Sequence, residues 1–246
     1  MAFNPLFAFV NTLVPDLLKE NKRMDGREFN SMRSIDLKIL SDFGVQISFG
    51  QTVIVARVSA EVVEPLPHRP FSGFFKTSLK TLGSNTDLRQ EVNSVIQTVM
   101  RQSRLLNLDS LCVSVGQSVY EVVLNVVIVQ DDGNCFDAAI LAASCAMACF
   151  RLPDGNPLNI QNLPVGVTFA TLESDGDPLL LLDPTSEELA ACSGAITVAV
   201  NEYREVCSIF QPGGVLLGVD ALKNVIEMAL TASKSYLEVI ASVSEK

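Results

Sequence analysis

Apolar and polar positions alternate through the first third of the chain. The alternation predicts strands near 33–40, 44–49 and 52–64, with Phe49-Gly50-Gln51-Thr52 as the tight turn joining the last two. Pro65-Leu66-Pro67-His68-Arg69-Pro70 cannot continue a sheet, and a further strand is predicted near 73–80. Between 87 and 104 the period changes, because Val92, Val95, Ile96, Val99 and Met100 fall on one face of a helix. Strands return near 111–115 and 119–130. The β-branched run Val122 to Val129 then meets Asp131-Asp132-Gly133-Asn134-Cys135-Phe136-Asp137, and the Ala-rich segment from Ala138 follows at once. This pattern predicts a strand, a tight loop and a helix over 137–149. Such a loop turns the first amides of a helix toward solvent, where anions bind readily.

Pro153-Asp154-Gly155-Asn156-Pro157 predicts a loop, and residues 164–170, 178–183, 195–201 and 205–210 read as strands. Gln211-Pro212-Gly213-Gly214 reads as a turn. A terminal helix over 220–243 starts at Asp220 and turns Leu222, Val225, Ile226, Ala229, Leu237 and Ile240 inward. Residues 1–22 read as an amphipathic helix ending in Lys19-Glu20-Asn21-Lys22. They lack the basic start and small-residue cleavage site of a signal peptide. No stretch reaches the roughly 18 uninterrupted apolar residues of a membrane span, so no membrane partner is expected. The element order predicts an α/β (α+β) sandwich. It has an N-terminal helix over 1–22 and, over 23–246, two related β-α halves packed as one domain without a flexible linker.

Composition narrows the function. The chain has 246 residues, is 48% hydrophobic and carries a net charge of -10. A protein that grips nucleic acid unaided is usually basic. Work on RNA would therefore need a basic partner or a small local patch. Six cysteines, at 112, 135, 145, 149, 192 and 207, form no C-x-x-C pair and read as free thiols of a reducing compartment.

Few motifs offer chemistry. His68 is the single histidine and lies in the proline-rich loop, so Ser-His-Asp and Cys-His arrangements have little to work with. There is no phosphate-binding G-x-x-x-x-G-K and no H-E-x-x-H. Arg23-Met24-Asp25-Gly26-Arg27-Glu28 reads as a solvated, salt-bridged turn. Asp131, Asp132 and Asp137 are of a type that holds Mg²⁺, but aspartates around a glycine loop more often form turns and caps. Asp183-Pro184-Thr185-Ser186-Glu187-Glu188 ends an apolar strand and reads either as a carboxylate site or as a capped helix start.

Taken together, four motifs in order resemble the RNase PH family. They are Arg23-Met24-Asp25-Gly26-Arg27, Gly50-Gln51-Thr52-Val53, Asp132-Gly133-Asn134 through Asp137-Ala138-Ala139, and Asp183-Pro184-Thr185 with Glu187-Glu188. The resemblance covers about residues 20–243. It implies the RNase PH fold, whose halves are of the ribosomal S5 domain 2 type. Segments such as Val58-Ser59-Ala60-Glu61, Arg69-Pro70-Phe71-Ser72-Gly73 and Asn201-Glu202-Tyr203-Arg204-Glu205-Val206 are similar to ring subunits of the eukaryotic RNA exosome. Active family members use inorganic phosphate to cleave RNA. They carry an arginine pair before the central helix, an arginine in the glycine loop, and two acids near the scissile bond. The resemblance puts Asp87 and Leu88 at the arginine pair, with Arg89 adjacent. It puts Phe136 at the loop arginine, Asp183 at the first acid, and Leu189 at the second, beside Glu188. Phenylalanine cannot donate a hydrogen bond to phosphate.

The resemblance therefore implies a catalytically silent subunit without metal or cofactor. Its expected partners are the other RNase PH-like subunits of a hetero-hexameric ring, S1/KH cap proteins, and RNA threading the central channel. The expected locations are nucleus, nucleolus and cytoplasm. Arg89, Arg101 and Arg104 are the candidates for touching RNA. The competing readings are an active phosphorolytic exoribonuclease that uses Asp183, Glu188 and Arg89, and a metal-dependent hydrolase built on Asp131, Asp132 and Asp137.

Overall fold

The structure is a computed structural model. It describes residues 13–18, 20, 22–40, 44–82, 86–173, 178–214 and 217–244, leaving aside the side chains of 86–89 and 244. Two sheets form, one in each half. The first contains β1 (Ile35–Leu40), β2 (Gly44–Phe49), β3 (Thr52–Val63), β4 (Phe74–Thr81), β5 (Cys112–Ser114) and β6 (Ser118–Gln130). Its order is β1-β2-β3-β6-β4, with β5 also on β6. The second contains β7 (Val165–Leu172), β8 (Leu179–Leu182), β9 (Gly194–Val200) and β10 (Val206–Phe210), in the order β10-β9-β7-β8. All neighbours are antiparallel except β4 and β6. That parallel pair requires a crossover, and α2 (Thr86–Gln102) provides it.

Two-residue periodicity decides the faces. In β3, Thr52, Ile54, Ala56 and Val58 are buried while Arg57 is exposed, and in β6 Val122, Leu124, Val126 and Ile128 point inward. The Phe49–Thr52 hairpin closes as expected, with Gly50 at positive φ. The helix α3 (Cys135–Cys149) is the hub. It packs on β2, β3 and β6 of one sheet, on β7 of the other, and on α5 (Val219–Ser244). A helix enclosed on every side has no polar face, and its alanines let both sheets approach closely. At Gly166 of β7 a methyl group would meet Ile140 Cδ1 at 2.8 Å and Asp137 Oδ1 at 3.1 Å, so a side chain there would have to displace the end of Ile140 and crowd the Asp137 carboxyl.

Residues 13–18 form α1, and Val14 and Leu18 pack with Ala170, Leu172 and Leu181 in a second apolar cluster. The expected N-terminal helix is shorter at its end than predicted, since Lys22 is already non-helical; residues 1–12 lie outside the described residues. The segment after Asp183 turns into a short helix, α4 (Ser186–Ala191), which the sequence left as one of two alternatives. Thr185 accepts from the Glu188 amide, and Glu188 returns a carboxylate oxygen to the Thr185 amide, forming a capping box. All six cysteines are free thiols. Burial pushes the Cys145 and Cys192 thiols up to about 12, which leaves them inert near neutral pH. Among the described residues, no helix is long and apolar enough to cross a membrane.

Candidate functional site

The motifs that are distant in sequence converge on one carboxylate. Asp183 directly follows β8, sits in the left-handed region (φ 50°) and is fully buried. Its side chain accepts five hydrogen bonds. Arg33 supplies three, from its amide at 2.8 Å, Nε at 2.9 Å and Nη2 at 2.8 Å. Arg27 Nη1 adds one at 3.1 Å, and Asn134 Nδ2 one at 2.7 Å. Burial alone would raise this carboxyl, but the Arg33 hydrogen bonds and charge outweigh it and hold the group below the usual carboxylate range. The charge is therefore fixed, and the oxygens are already occupied by donors within the chain.

The glycine loop is sewn to the same turn. Gly133 sits at φ 84°, and a Cβ there would meet Ser186 N and the Thr185 carbonyl carbon at 2.4 Å, so only glycine lets the loop close on the start of α4. The Asp132 amide donates to Thr52 Oγ1 at 3.0 Å, and that hydroxyl donates to the Gly133 carbonyl at 2.8 Å. Arg33 reaches the Asp132 and Gly133 carbonyls at 3.0 and 3.1 Å. Asn134 begins α3 at positive φ and gives its two amide protons to two acids, Asp137 at 2.9 Å and Asp183 at 2.7 Å. Its own Oδ1 is buried without a partner.

This geometry corrects the solvent-facing anion cradle expected at the head of α3. Gly133 and Asn134 are buried, and the Gly133 amide already donates to Asp131 Oδ1 at 2.9 Å, so a carboxylate of the chain itself occupies the loop. Phe136, expected where a phosphate arginine stands, is half-buried and packs its ring against Phe210 of β10, with centroids 5.6 Å apart.

The three loop aspartates do not converge. Asp131 serves the loop, Asp132 accepts from Ser186 Oγ at 3.1 Å, and Asp137 points into the core. Among the described residues no group of acids, cysteines or histidine is arranged to hold a metal.

The turn at residues 23–28 differs from the solvated one expected. Arg23 is only 4% exposed, because its guanidinium forms a fork with Glu188 (Nε to Oε1 at 2.8 Å, Nη2 to Oε2 at 2.6 Å) and caps the Leu182 and Asp183 carbonyls. Leu189, at the expected second acid, joins the apolar cluster of α1 and β7. Asp87, Leu88 and Arg89 lie in the first turn of α2, and their side chains are outside the described residues. Arg101 and Arg104 are exposed at the far end of that helix and contact none of the groups around Asp183. His68 is exposed, as its proline-rich loop suggested.

Two members of the network were missed by sequence reading. Arg33 precedes a strand and offers no motif. Tyr236 is buried on α5, stacks on Phe49 with centroids 5.5 Å apart, and reaches Asp137 at 3.4 Å. Its spacing from Ala229, Ser233 and Ile240 was the available signal.

Asp137 is fully buried and accepts from the Thr168 amide at 2.8 Å, from Thr168 Oγ1 at 2.6 Å and from Asn134. Burial dominates and lifts its carboxyl to about 6. A carboxyl raised in the folded state contributes stability below its unfolded value near 4, and that contribution is lost as pH rises through about 6. Asp183 behaves oppositely, contributing above the ordinary carboxylate range and losing as pH falls, so it stays constant across the window. The unfolding free energy of the native chain is expected to fall between pH 4 and 6.5, relative to Asp137→Asn, by on the order of 3 kcal/mol. Urea denaturation of both proteins across that range measures it, and parallel profiles would remove Asp137 as the source.

Comparison with known proteins places this architecture. Residues 41–153 match domain 1 of the 3' exoribonuclease family, RNase PH, and residues 162–232 match its domain 2. Exosome complex component rrp45 of Schizosaccharomyces pombe is 31% identical over 250 residues, covering 91% of this chain and 85% of that protein. The human exosome complex component RRP45 is 31% identical over 227 residues, covering 81% of this chain but 51% of its own length. Among solved structures, the Archaeoglobus fulgidus exosome with RNA bound to the active site contains a chain of the same fold. It has a TM-score of 0.83 and 24% identity, over 96% of this chain and 99% of that one. Rice Rrp46 shares the fold at a TM-score of 0.72 and 18% identity, over 91% of this chain and all of that one. The two sheets, the shared central helix and the motifs gathered at Asp183 are those of the RNase PH family of 3' exoribonucleases, to which this chain belongs.

Proposed function

We propose that the chain is a non-catalytic ring subunit of an RNA exosome, of the Rrp45 kind, and that its work is to complete the wall of an RNA-threading channel. The observation that carries the reading is the state of Asp183. Phosphorolysis needs an acid free to meet the leaving oxygen and cations free to hold phosphate. Asp183 accepts five intramolecular bonds, and Arg23, Arg27 and Arg33 spend their donors on Asp183, Glu188, Asp25 and backbone carbonyls. Phe136 packs on Phe210 at the position where the family resemblance expects a third cation. The kinship with Rrp45 proteins supports the ring assignment, and the acidic chain fits a subunit whose partners supply most RNA contacts.

The competing phosphorolytic reading needs Glu188 as well as Asp183. Glu188 is 1% exposed and is held by Arg23 and the Thr185 amide, which counts against it.

The purified chain, incubated with RNA and inorganic phosphate, is expected to release no nucleoside diphosphates, and with Mg²⁺ no monophosphates. Tagged chain is expected to pull down other RNase PH-like subunits and S1/KH proteins. Phosphate-dependent release of diphosphates would overturn the silent assignment, and a monomer that recovers no such partners would overturn the ring assignment.

A further inference from the structure

A groove of about 510 Å³ opens between β4 and the end of α2, apart from every contact of the Asp183 network. Phe75, Met100, Leu106 and Leu108 line it, and Arg101 and Arg104 stand exposed at its side. Neither arginine makes an ion pair among the described residues, in a chain with 28 acids against 18 lysines and arginines.

The backbone that holds Arg104 is unusual. It sits at φ 52°, where the Leu105 amide bonds the Met100 carbonyl at 3.3 Å and the Arg104 amide bonds the Arg101 carbonyl at 3.2 Å. This is the Schellman ending of a helix, whose left-handed position normally takes glycine. The chain keeps a strained arginine there.

The wall of the groove is also incomplete. Among the described residues the stretch of β4 that lines the groove, Phe75 to Thr77, pairs only with β6, so its second edge presents unpaired N–H and C=O groups there. Thr77 Oγ1, on that strand and lining the groove, is buried without a hydrogen-bond partner.

We propose that this groove captures an extended acidic peptide segment of another protein, which adds a strand to the free edge of β4, lays apolar side chains on the groove floor and sets carboxylates against Arg101 and Arg104. Strand addition takes affinity from main-chain hydrogen bonds and specificity from side-chain pockets, and both are present. Unpaired arginines select carboxylates, which the rest of this acidic surface would repel. RNA would satisfy the arginines but not the edge. A phosphodiester chain supplies acceptors for the N–H groups and no regular donors for the carbonyls, and the mostly aliphatic floor offers little stacking surface for bases.

The test is fluorescence anisotropy on the full chain. The probes are a labelled Glu-Val-Glu-Val-Glu-Val-Glu peptide, the same peptide with lysine for glutamate, and a labelled ten-nucleotide oligouridylate. The acidic peptide is expected to bind, and the lysine peptide is not. Arg101→Glu and Arg104→Gly are each expected to weaken the acidic peptide at least tenfold. Lys234→Glu, with the same change of sign as Arg101→Glu elsewhere on the surface, is expected to stay within twofold. Arg104→Gly separates binding from folding, because glycine relieves the left-handed strain and should raise the melting temperature while binding falls. Absence of acidic-peptide binding overturns the proposal, as does equal weakening by Lys234→Glu. Binding of the RNA alone, lost in Arg101→Glu, would give the groove to RNA. A concentration-dependent dimer abolished by Arg101→Glu would give it to a second copy of the chain.

Discussion

Replacing Asp183 by alanine is expected to destabilise the fold by about 3–5 kcal/mol, the range for breaking a buried ion pair from one side. The size follows from what remains. Arg33 and Arg27 keep their bonds to carbonyls, including the Asp132 and Gly133 oxygens, but Arg33 loses its close carboxylate and is left with Asp132 at 3.7 Å, while Arg27 is left with Asp25 alone. The Arg33 side chain is 9% exposed, so water replaces little of that charge. Asn134 also loses an acceptor at 2.7 Å. Asp183→Asn should cost a comparable amount despite its matching shape, because its amide would turn donors toward Arg33 or Arg27. Urea denaturation with an unchanged slope measures both losses. A loss below about 1 kcal/mol in either variant would mean that Asp183 is more loosely held than its five bonds indicate, and it would reopen the acid for chemistry.

The same network explains which parts of the molecule were legible in the sequence. The strands and helices follow from periods of two and 3.6 residues, which are local, and the β2–β3 hairpin and α3 stand where the pattern put them. The Thr185-x-x-Glu188 spacing contains its own capping box, so α4 was written in the sequence even while a carboxylate site competed with it. The partners of the charges were not legible. Arg33 and Asp183 are 150 residues apart, and no local pattern tells a solvated arginine from one drawn inward by a distant acid. For the same reason Arg23 read as a surface residue and proved buried. The open cradle was misread because its occupant, Asp131, is a neighbour in the loop, and its side chain can turn out to solvent or back onto the Gly133 amide. The family resemblance drew attention to Asp183 and Phe136. It could not say that Asp183 would be saturated or that Phe136 would find Phe210.

Arg23→Met is expected to cost about 3–5 kcal/mol, and the double variant Arg23→Met/Glu188→Leu substantially less than the two single losses added together. Arg23 spends its N–H groups on the Glu188 carboxylate and on the Leu182, Asp183 and Ser31 carbonyls, so one side chain ties the 23–28 turn to the end of β8 and to α4. Methionine keeps the volume and removes every donor, leaving the Glu188 carboxylate in a residue only 1% exposed, with the Thr185 amide as its one remaining donor among the described residues. An uncompensated buried carboxylate dominates that loss. Converting Glu188 to leucine as well removes the stranded charge and extends the apolar surface beside Leu189 and Leu181. The interaction energy from the double-mutant cycle should therefore be large and negative, on the order of -2 to -3 kcal/mol, the upper part of the range for residues in one network. Equilibrium denaturation of the four proteins measures it. If the double variant instead falls by the full sum, the carbonyl bonds to Leu182, Asp183 and Ser31 carry the stability and the ion pair adds little. The two outcomes lead to different views of this turn: an acid neutralised in place by an arginine, or a backbone clamp in which the acid is incidental. The fork geometry, with both Glu188 oxygens within 2.8 Å of Arg23 nitrogens, favours the first.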